Sequence, residues 1–132
     1  LVKEMGGPDT GGVGFGIGLE RLVIALRGAE HRAAERAPDV FLVALDAAAL
    51  RDNLALADTL RQRGLTVLAG YDVQSVKAQM RQANNAGAAW VVLQGEDERT
   101  QGVVKLKDMR GGSERFCAAQ EAVDAIASAR QE

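Results

Sequence analysis

The sequence predicts an α/β fold: a mixed five-stranded sheet of three parallel strands plus an antiparallel hairpin, with three helices, preceded by a glycine-rich strand and one further helix. Three observations predict it. Val40-Phe41-Leu42-Val43-Ala44-Leu45 and Ala89-Trp90-Val91-Val92-Leu93 are continuous apolar runs, the signature of strands buried on both faces. Amphipathic helical patterns alternate with short strands between Asp39 and Leu93, which implies parallel pairing through crossovers. Beyond Leu93, Val104 and Leu106 alternate with Lys105 and Lys107 ahead of the turn sequence MRGGS, which marks a hairpin with one apolar and one basic face.

Taken in order, Ile17 to Arg27 reads as a helix, and Gly28 and Pro38 bound a charged, alanine-rich linker, GAEHRAAERAP. A helix from Ala47 to Gln62 follows the first strand, with Leu50, Leu54, Ala57 and Leu60 or Arg61 at helical spacing and Gly64 as its stop. Thr66-Val67-Leu68 is a short second strand. Ser75 caps a helix reaching Asn84, with Val76, Met80 and Ala83 inward and Lys77 and Arg81 outward. Trp90 reads as core on the third strand. The hairpin strands are Gly102–Lys107 and Arg115–Ala118, and a last helix from Gln120 to Ala129 buries Val123 and Ile126.

At 132 residues with 47% apolar and 26% charged residues, the chain has material for one moderate core. No run approaches the roughly 18 apolar residues of a membrane span. A single cysteine, Cys117, excludes an internal disulfide and points to a reducing, cytoplasmic compartment; on a strand it reads as core. The net charge of −2 gives no overall pull toward nucleic acid. Between Arg99 and Arg115, however, Arg99, Lys105, Lys107, Arg110 and Arg115 outnumber Asp108 and Glu114. The lone histidine, His31, lies in the linker, and no metal-ligand spacing occurs. The opening LVKEMGG lacks an initiator methionine and reads as the interior of a longer polypeptide.

Residues 11–26, GGVGFGIGLERLVIAL, pose the sharpest question. Gly12, Gly14, Gly16 and Gly18 alternate, so they share one face of an extended segment, opposite Val13, Phe15 and Ile17. A bare face admits a flat ligand such as a nucleobase, and Arg21, one turn into the helix, suits its phosphates. The other reading is a strand packed against another backbone, with Arg21 in a surface ion pair. The spacing is not that of a phosphate-binding Walker loop.

GGPDTGGVGFGIGLERLVIAL resembles motif 3 of class II aminoacyl-tRNA synthetases in the form found in the histidyl-tRNA synthetase family, and VVLQGEDERTQGVVKLKDMRGGSE resembles part of that family's C-terminal anticodon-binding domain. The resemblance implies three segments: 1–27 as the end of a catalytic domain, 28–38 as a linker and 39–132 as the anticodon-binding domain. It implies a class II histidine-tRNA ligase as the parent enzyme, with histidine, ATP and Mg2+ as its ligands and a homodimer formed through the catalytic domain. Gly14, Gly16 and Gly18 would then floor the ATP site and Arg21 would contact ATP phosphate. Motif 2 and the histidine pocket are not visible, so this segment alone is expected to be inactive and to take no cofactor of its own. What remains is recognition of the tRNA(His) anticodon stem-loop.

Candidates for that role lie where the parallel strands end and the hairpin begins. Gln94, Glu96 and Glu98 offer acceptors and an amide to base edges, while Lys105, Lys107 and Arg110 supply cations. Lys77 and Arg81 suit phosphates, and Tyr71 suits stacking on an unpaired base or packing within its loop. Each alone also reads as a solvated surface group; together they are expected to gather near one sheet edge. Two other readings stand beside this one: a non-catalytic regulatory paralogue of the type found with ATP phosphoribosyltransferase, and an unrelated α/β ligand-binding module. Finally, Leu19, Leu22, Val23 and Leu26 form an apolar helix face expected to pair with another copy, fold back on the sheet or meet the rest of the catalytic polypeptide.

Overall fold

The computed structural model describes residues 1–28 and 36–130. They fall into two compact units, Leu1–Glu35 and Arg36–Glu132. His31 and most of the expected linker lie outside the described residues.

The second unit is built on one sheet. Its strands are β1 (Val40–Ala44), β2 (Val67–Ala69), β3 (Trp90–Gln94), β4 (Val104–Asp108) and β5 (Glu114–Cys117), in spatial order β2-β1-β3-β4-β5. β1 pairs parallel with β2 and β3, and β4 pairs antiparallel with β3 and β5, as the apolar runs and the hairpin signal predict. The chain leaves β1 for β2 through one helix, α2 (Ala47–Gln62), and returns across β1 to β3 through another, α3 (Val76–Asn85). These crossovers run in opposite directions, so a common handedness puts their helices on opposite faces.

The cores follow that division. On one face Val40, Leu42, Val92, Val104, Leu106 and Cys117 pack with Ala57 and Leu60 of α2 and with Ala122, Val123 and Ile126 of a C-terminal helix, α5 (Ala119–Ala129). On the other, Phe41, Val43 and Val91 pack with Ala83 of α3, Ala88, Met80 and Leu93. β1, covered on both sides, is buried at every position. That is why its sequence shows no alternation.

Local signals place the helices. The Asp46 carboxylate accepts from the Ala48 and Ala49 amides at 2.9 and 2.8 Å and so starts α2. Gly64, at φ 80°, ends it, with its N–H donating to Arg61 and that of Leu65 reaching Leu60. The inward stripe of α2 differs from the expected one. Ala49, Asn53, Ala57 and Leu60 are buried, whereas Leu54 is 67% exposed and Leu50 half-buried. The Asp46 cap fixes the helical phase, and small alanines rather than leucines let α2 lie close to the sheet. In α3, Gln79 and Ala83 form the buried line; Met80 is half-buried at its edge and Val76 is 43% exposed, a correction to its inward assignment.

Three helices were expected alongside this sheet and four are present among the described residues. The addition is the short α4 (Glu96–Thr100), whose acidic first turn, Glu96, Asp97 and Glu98, suits the positive end of a helix. Trp90, expected as core, is half-buried against the main cluster.

The first unit contains one helix, α1 (Leu19–Gly28), whose first-turn amide Leu22 donates to Gly18. The expected glycine-rich strand is absent: residues 7–18 form no ladder. No neighbouring strand among the described residues of this unit accepts its hydrogen bonds, and glycine's large backbone entropy opposes extension without one. Leu19, Leu22, Val23 and Leu26 are all exposed.

Candidate nucleic-acid interface

The two faces of the sheet are covered unequally. α2 and α5 close one face from β2 to β5, whereas α3 packs on β1 and leaves the hairpin bare on its side. Because β4 alternates, Val104 and Leu106 enter the closed core while Lys105 and Lys107 stand on the open half-face. Strand register puts Leu93 opposite Lys105 and Val91 opposite Lys107 on one side, and Phe116 and Glu114 opposite the same lysines on the other. Directly opposed residues share a face. The result is a groove of about 130 Å³ between α3 and the hairpin, with an apolar floor of Val91 and Leu93, an α3 wall of Val76 and Met80, and a charged wall of Lys105, Lys107 and Glu114.

The charged wall is tightly organised. Lys105 Nζ lies 2.6 Å from Glu114 Oε2, and Lys107 Nζ lies 2.6 Å from Glu114 Oε1. These two ammonium groups, Lys105 first, pull the Glu114 carboxyl down to about 2. Lys105 also sits 5.9 Å from the centroid of the Phe116 ring, which is 62% exposed. Lys77 and Arg81 follow Val76 and Met80 by one position each, about 100° further round the helix. Both are exposed, and neither lines the groove.

One buried and one part-buried polar link hold the ends of the parallel strands. The Gln79 side chain accepts from the Ala44 amide at 3.0 Å and donates to the carbonyls of Ala44 at 2.8 Å and Gln74 at 2.7 Å. It thereby ties α3 to the end of β1. Arg99 Nη1 lies 2.8 Å from Asp46 Oδ1, with Arg99 Nε 3.8 Å from Asp52, pinning α4 to the start of α2. Arg99 and the Ala49 amide hold the Asp46 carboxyl below its usual range.

The sequence candidates are therefore only partly gathered. Tyr71 just past β2 and Glu96 just past β3 mark the carboxyl ends of the parallel strands, with Lys105 on the neighbouring end of β4. The Tyr71 ring is 98% exposed, so it does no packing within its loop. Glu98 is half-buried in α4, against the Gly95 backbone, and Gln94 lines the side of the sheet that carries α2 and α5. Arg110 is misplaced in the sequence grouping: Asp108 pairs with Trp90, so the turn carrying Arg110 sits at the opposite end of β3. There it lines a separate cleft of about 390 Å³ with Asp39, Trp90, Asp108 and Arg130. The basic surplus is also reduced in place: Arg99 meets Asp46, Lys105 and Lys107 share the single Glu114 carboxylate, and Arg115 meets Glu121 at 3.0 Å.

Sequence reasoning missed Glu114, Phe116 and Gln79. Placing Glu114 and Phe116 opposite the lysines needs only the hairpin register, and Gln79 falls in the i, i+3, i+4, i+7 stripe of Val76, Met80 and Ala83. In the first unit the Arg21 stem lies about 3.8 Å from where a Cβ of Gly18 would be, and the Cα faces of Gly14 and Gly16 are open. No cluster of three metal-ligating side chains occurs among the described residues.

Residues 39–129 match the family model of the anticodon binding domain. The chain belongs to that family. Among curated proteins, the anticodon-binding chain is 45% identical over 115 residues to the histidine–tRNA ligase of Rubrobacter xylanophilus, covering 87% of this chain and 26% of that protein. It is 35% identical over 133 residues to the enzyme of that name from Listeria innocua, covering 100% of this chain and 31% of the relative. The chain thus spans between a quarter and a third of the length of these relatives. Among solved structures, the apo histidyl-tRNA synthetase of S. aureus superposes with a TM-score of 0.65 at 26% identity, covering 83% of this chain and 28% of that one. The Nostoc sp. PCC 7120 synthetase gives 0.67 at 25% identity, covering 88% and 28%.

Proposed function

We propose that residues 39–132 grip the anticodon stem-loop of tRNA(His), as the C-terminal part of a histidine–tRNA ligase. The observation that supports this reading is the open half-face, whose groove is lined by Lys105, Lys107 and Glu114 and has the exposed Phe116 beside Lys105, on a domain of the anticodon-binding family. Unpaired bases are recognised by stacking on aromatic rings and by hydrogen bonds to their edges, with cations on the phosphates. Phe116 and Tyr71 supply the rings. Lys105, Lys107, Glu96 and Glu98 supply edge contacts, and Lys77 and Arg81 supply phosphate contacts. Arg110, at the far end of β3, drops out of this group.

Residues 1–27 belong, on this reading, to a catalytic domain, joined through 28–38. Gly14, Gly16 and Gly18, with their open Cα faces, and the Arg21 guanidinium would hold ATP, which together with Mg2+ activates histidine in the complete, homodimeric enzyme. The chemistry of these residues fits, since a guanidinium suits phosphate and an unsubstituted backbone suits a flat base.

Filter binding to total tRNA tests the reading. Binding is expected to be weak, to fall with salt, and to be competed by an isolated anticodon stem-loop but not by an acceptor-stem hairpin. Lys107→Ala should weaken it. Equal competition by both hairpins would refute anticodon recognition, and unchanged affinity of Lys107→Ala at low salt would remove Lys107 from the site.

A further inference from the structure

Resting on that reading, we propose a division of labour across the groove: Lys105 and Lys107 are specificity-determining readers of acceptor edges on unpaired bases, kept out of phosphate service by Glu114, while Lys77 and Arg81 carry the phosphates. The Glu114 carboxylate takes one lysine on each oxygen, at 2.6 Å apiece. The two cations thus share one anion already in place, which halves their net charge and occupies the position a phosphate would otherwise seek. A phosphate entering here must displace the carboxylate or lie against it, and like charges at such range repel. A neutral base edge meets no such repulsion.

The lysines nonetheless remain good donors. An ammonium has three N–H groups, and Glu114 engages one on each lysine, so the others are available to carbonyl and ring-nitrogen acceptors. Both lysine side chains are also about two-thirds buried, with their stems between the β3 and β5 side chains, so little freedom is left to lose on binding. Phe116, beside Lys105, gives a flat surface on which the same base can stack.

The α3 pair has the opposite character. Lys77 and Arg81 are exposed and make no ion pair among the described residues. Such cations act as counter-ions to the RNA backbone, and their contribution shows as a salt dependence with little sequence information.

The experiment measures the affinity of the full chain for a tRNA(His) anticodon stem-loop, and for an unrelated hairpin with a loop of equal length, from 50 to 200 mM KCl. Variants are first matched to wild type by circular dichroism. Lys77→Gln/Arg81→Gln should flatten the slope of log K against log salt by about 1.4, at about 0.7 per single-strand phosphate, and should leave the preference between hairpins unchanged. Lys105→Gln/Lys107→Gln should lower stem-loop affinity about tenfold and erase the preference, with the slope moved by less than about 0.5. Glu114→Gln should raise affinity for the unrelated hairpin and steepen the slope. If Lys105→Gln/Lys107→Gln flattens the slope by one or more with the preference intact, or Glu114→Gln leaves the unrelated hairpin unaffected, the division is wrong. The exposed α3 variant preserves a readout should a hairpin variant fail to fold, because its loss of preference would equally contradict the assignment. Failure of wild type to bind either hairpin would overturn the RNA reading itself, and this inference with it.

Discussion

The two faces of strand β4 carry the same alternation to different ends. Val104 and Leu106 are buried beneath α5, while Lys105 and Lys107, one residue away in each case, stand on a surface that no helix covers. Backbone geometry is common to both faces, so the difference comes from coverage. α5 returns over the hairpin, whereas α3, tied to the end of β1 through Gln79, stops short of it. The closed face supplies stability, and on the proposed reading the open one supplies the place to bind. This separation allows the second to be altered without loss of the first.

Substitutions on the closed face should therefore have the largest effect on folding. Leu106→Ala is expected to cost about 2–5 kcal/mol by leaving a cavity in the main core, measured by urea denaturation. Lys105→Ala on the other face should cost less, about 0.5–1 kcal/mol, because Lys107 still holds the Glu114 carboxylate. Equal losses would erase the distinction. Gln79→Ala, which leaves the Ala44 amide and carbonyl without their buried side-chain partner, should cost about 2–3 kcal/mol and loosen α3, visible as faster amide exchange along β1.

Phe116→Ala has the reverse profile. It should weaken anticodon stem-loop binding by about 1–3 kcal/mol through lost stacking while leaving the denaturation midpoint nearly unchanged. An unaltered affinity would take the ring out of the interface.

A pH titration sharpens the contrast further. Glu114 has a folded value of about 2 against an ordinary 4.5, so its contribution to stability is complete above about 4.5 and is lost as pH falls toward 2. Asp46 and Asp108, also lowered, act in the same direction. Glu114→Gln should thus show a shallower acid loss of stability between pH 4.5 and 2 than wild type. The smallest effect is expected at Asn53, a buried side chain with no hydrogen-bond partner among the described residues. Asn53→Ala should change stability by less than about 1 kcal/mol, because relief of an unpaired buried amide offsets the small cavity left behind.

The parallel strands and the hairpin were legible because they rest on apolar runs and on alternation, which reflect burial directly; the spatial order of the strands was not. The phase of α2 was not, because Leu50 and Leu54 outweighed Ala49 and Asn53 on any hydrophobic scale, while close approach to a sheet favours the smaller side chains. α4 was too short to show a period. For the candidate interface, the sequence showed a basic strand face and cations on α3. It did not show that Arg99, Lys105, Lys107 and Arg115 each meet a carboxylate, since those pairings join residues from separate elements or across a register. Nor did proximity in sequence reveal that the hairpin carries Arg110 to the other end of the sheet.

Chemical-shift mapping of the 15N-labelled chain against an anticodon stem-loop tests the central claim most directly. Binding on the open half-face should perturb the amides of Val76, Met80, Lys105, Lys107 and Phe116 and leave those of Trp90, Arg110 and Arg130 unmoved. Perturbations centred instead on the cleft of Asp39, Arg110 and Arg130, with the groove silent, would contradict it.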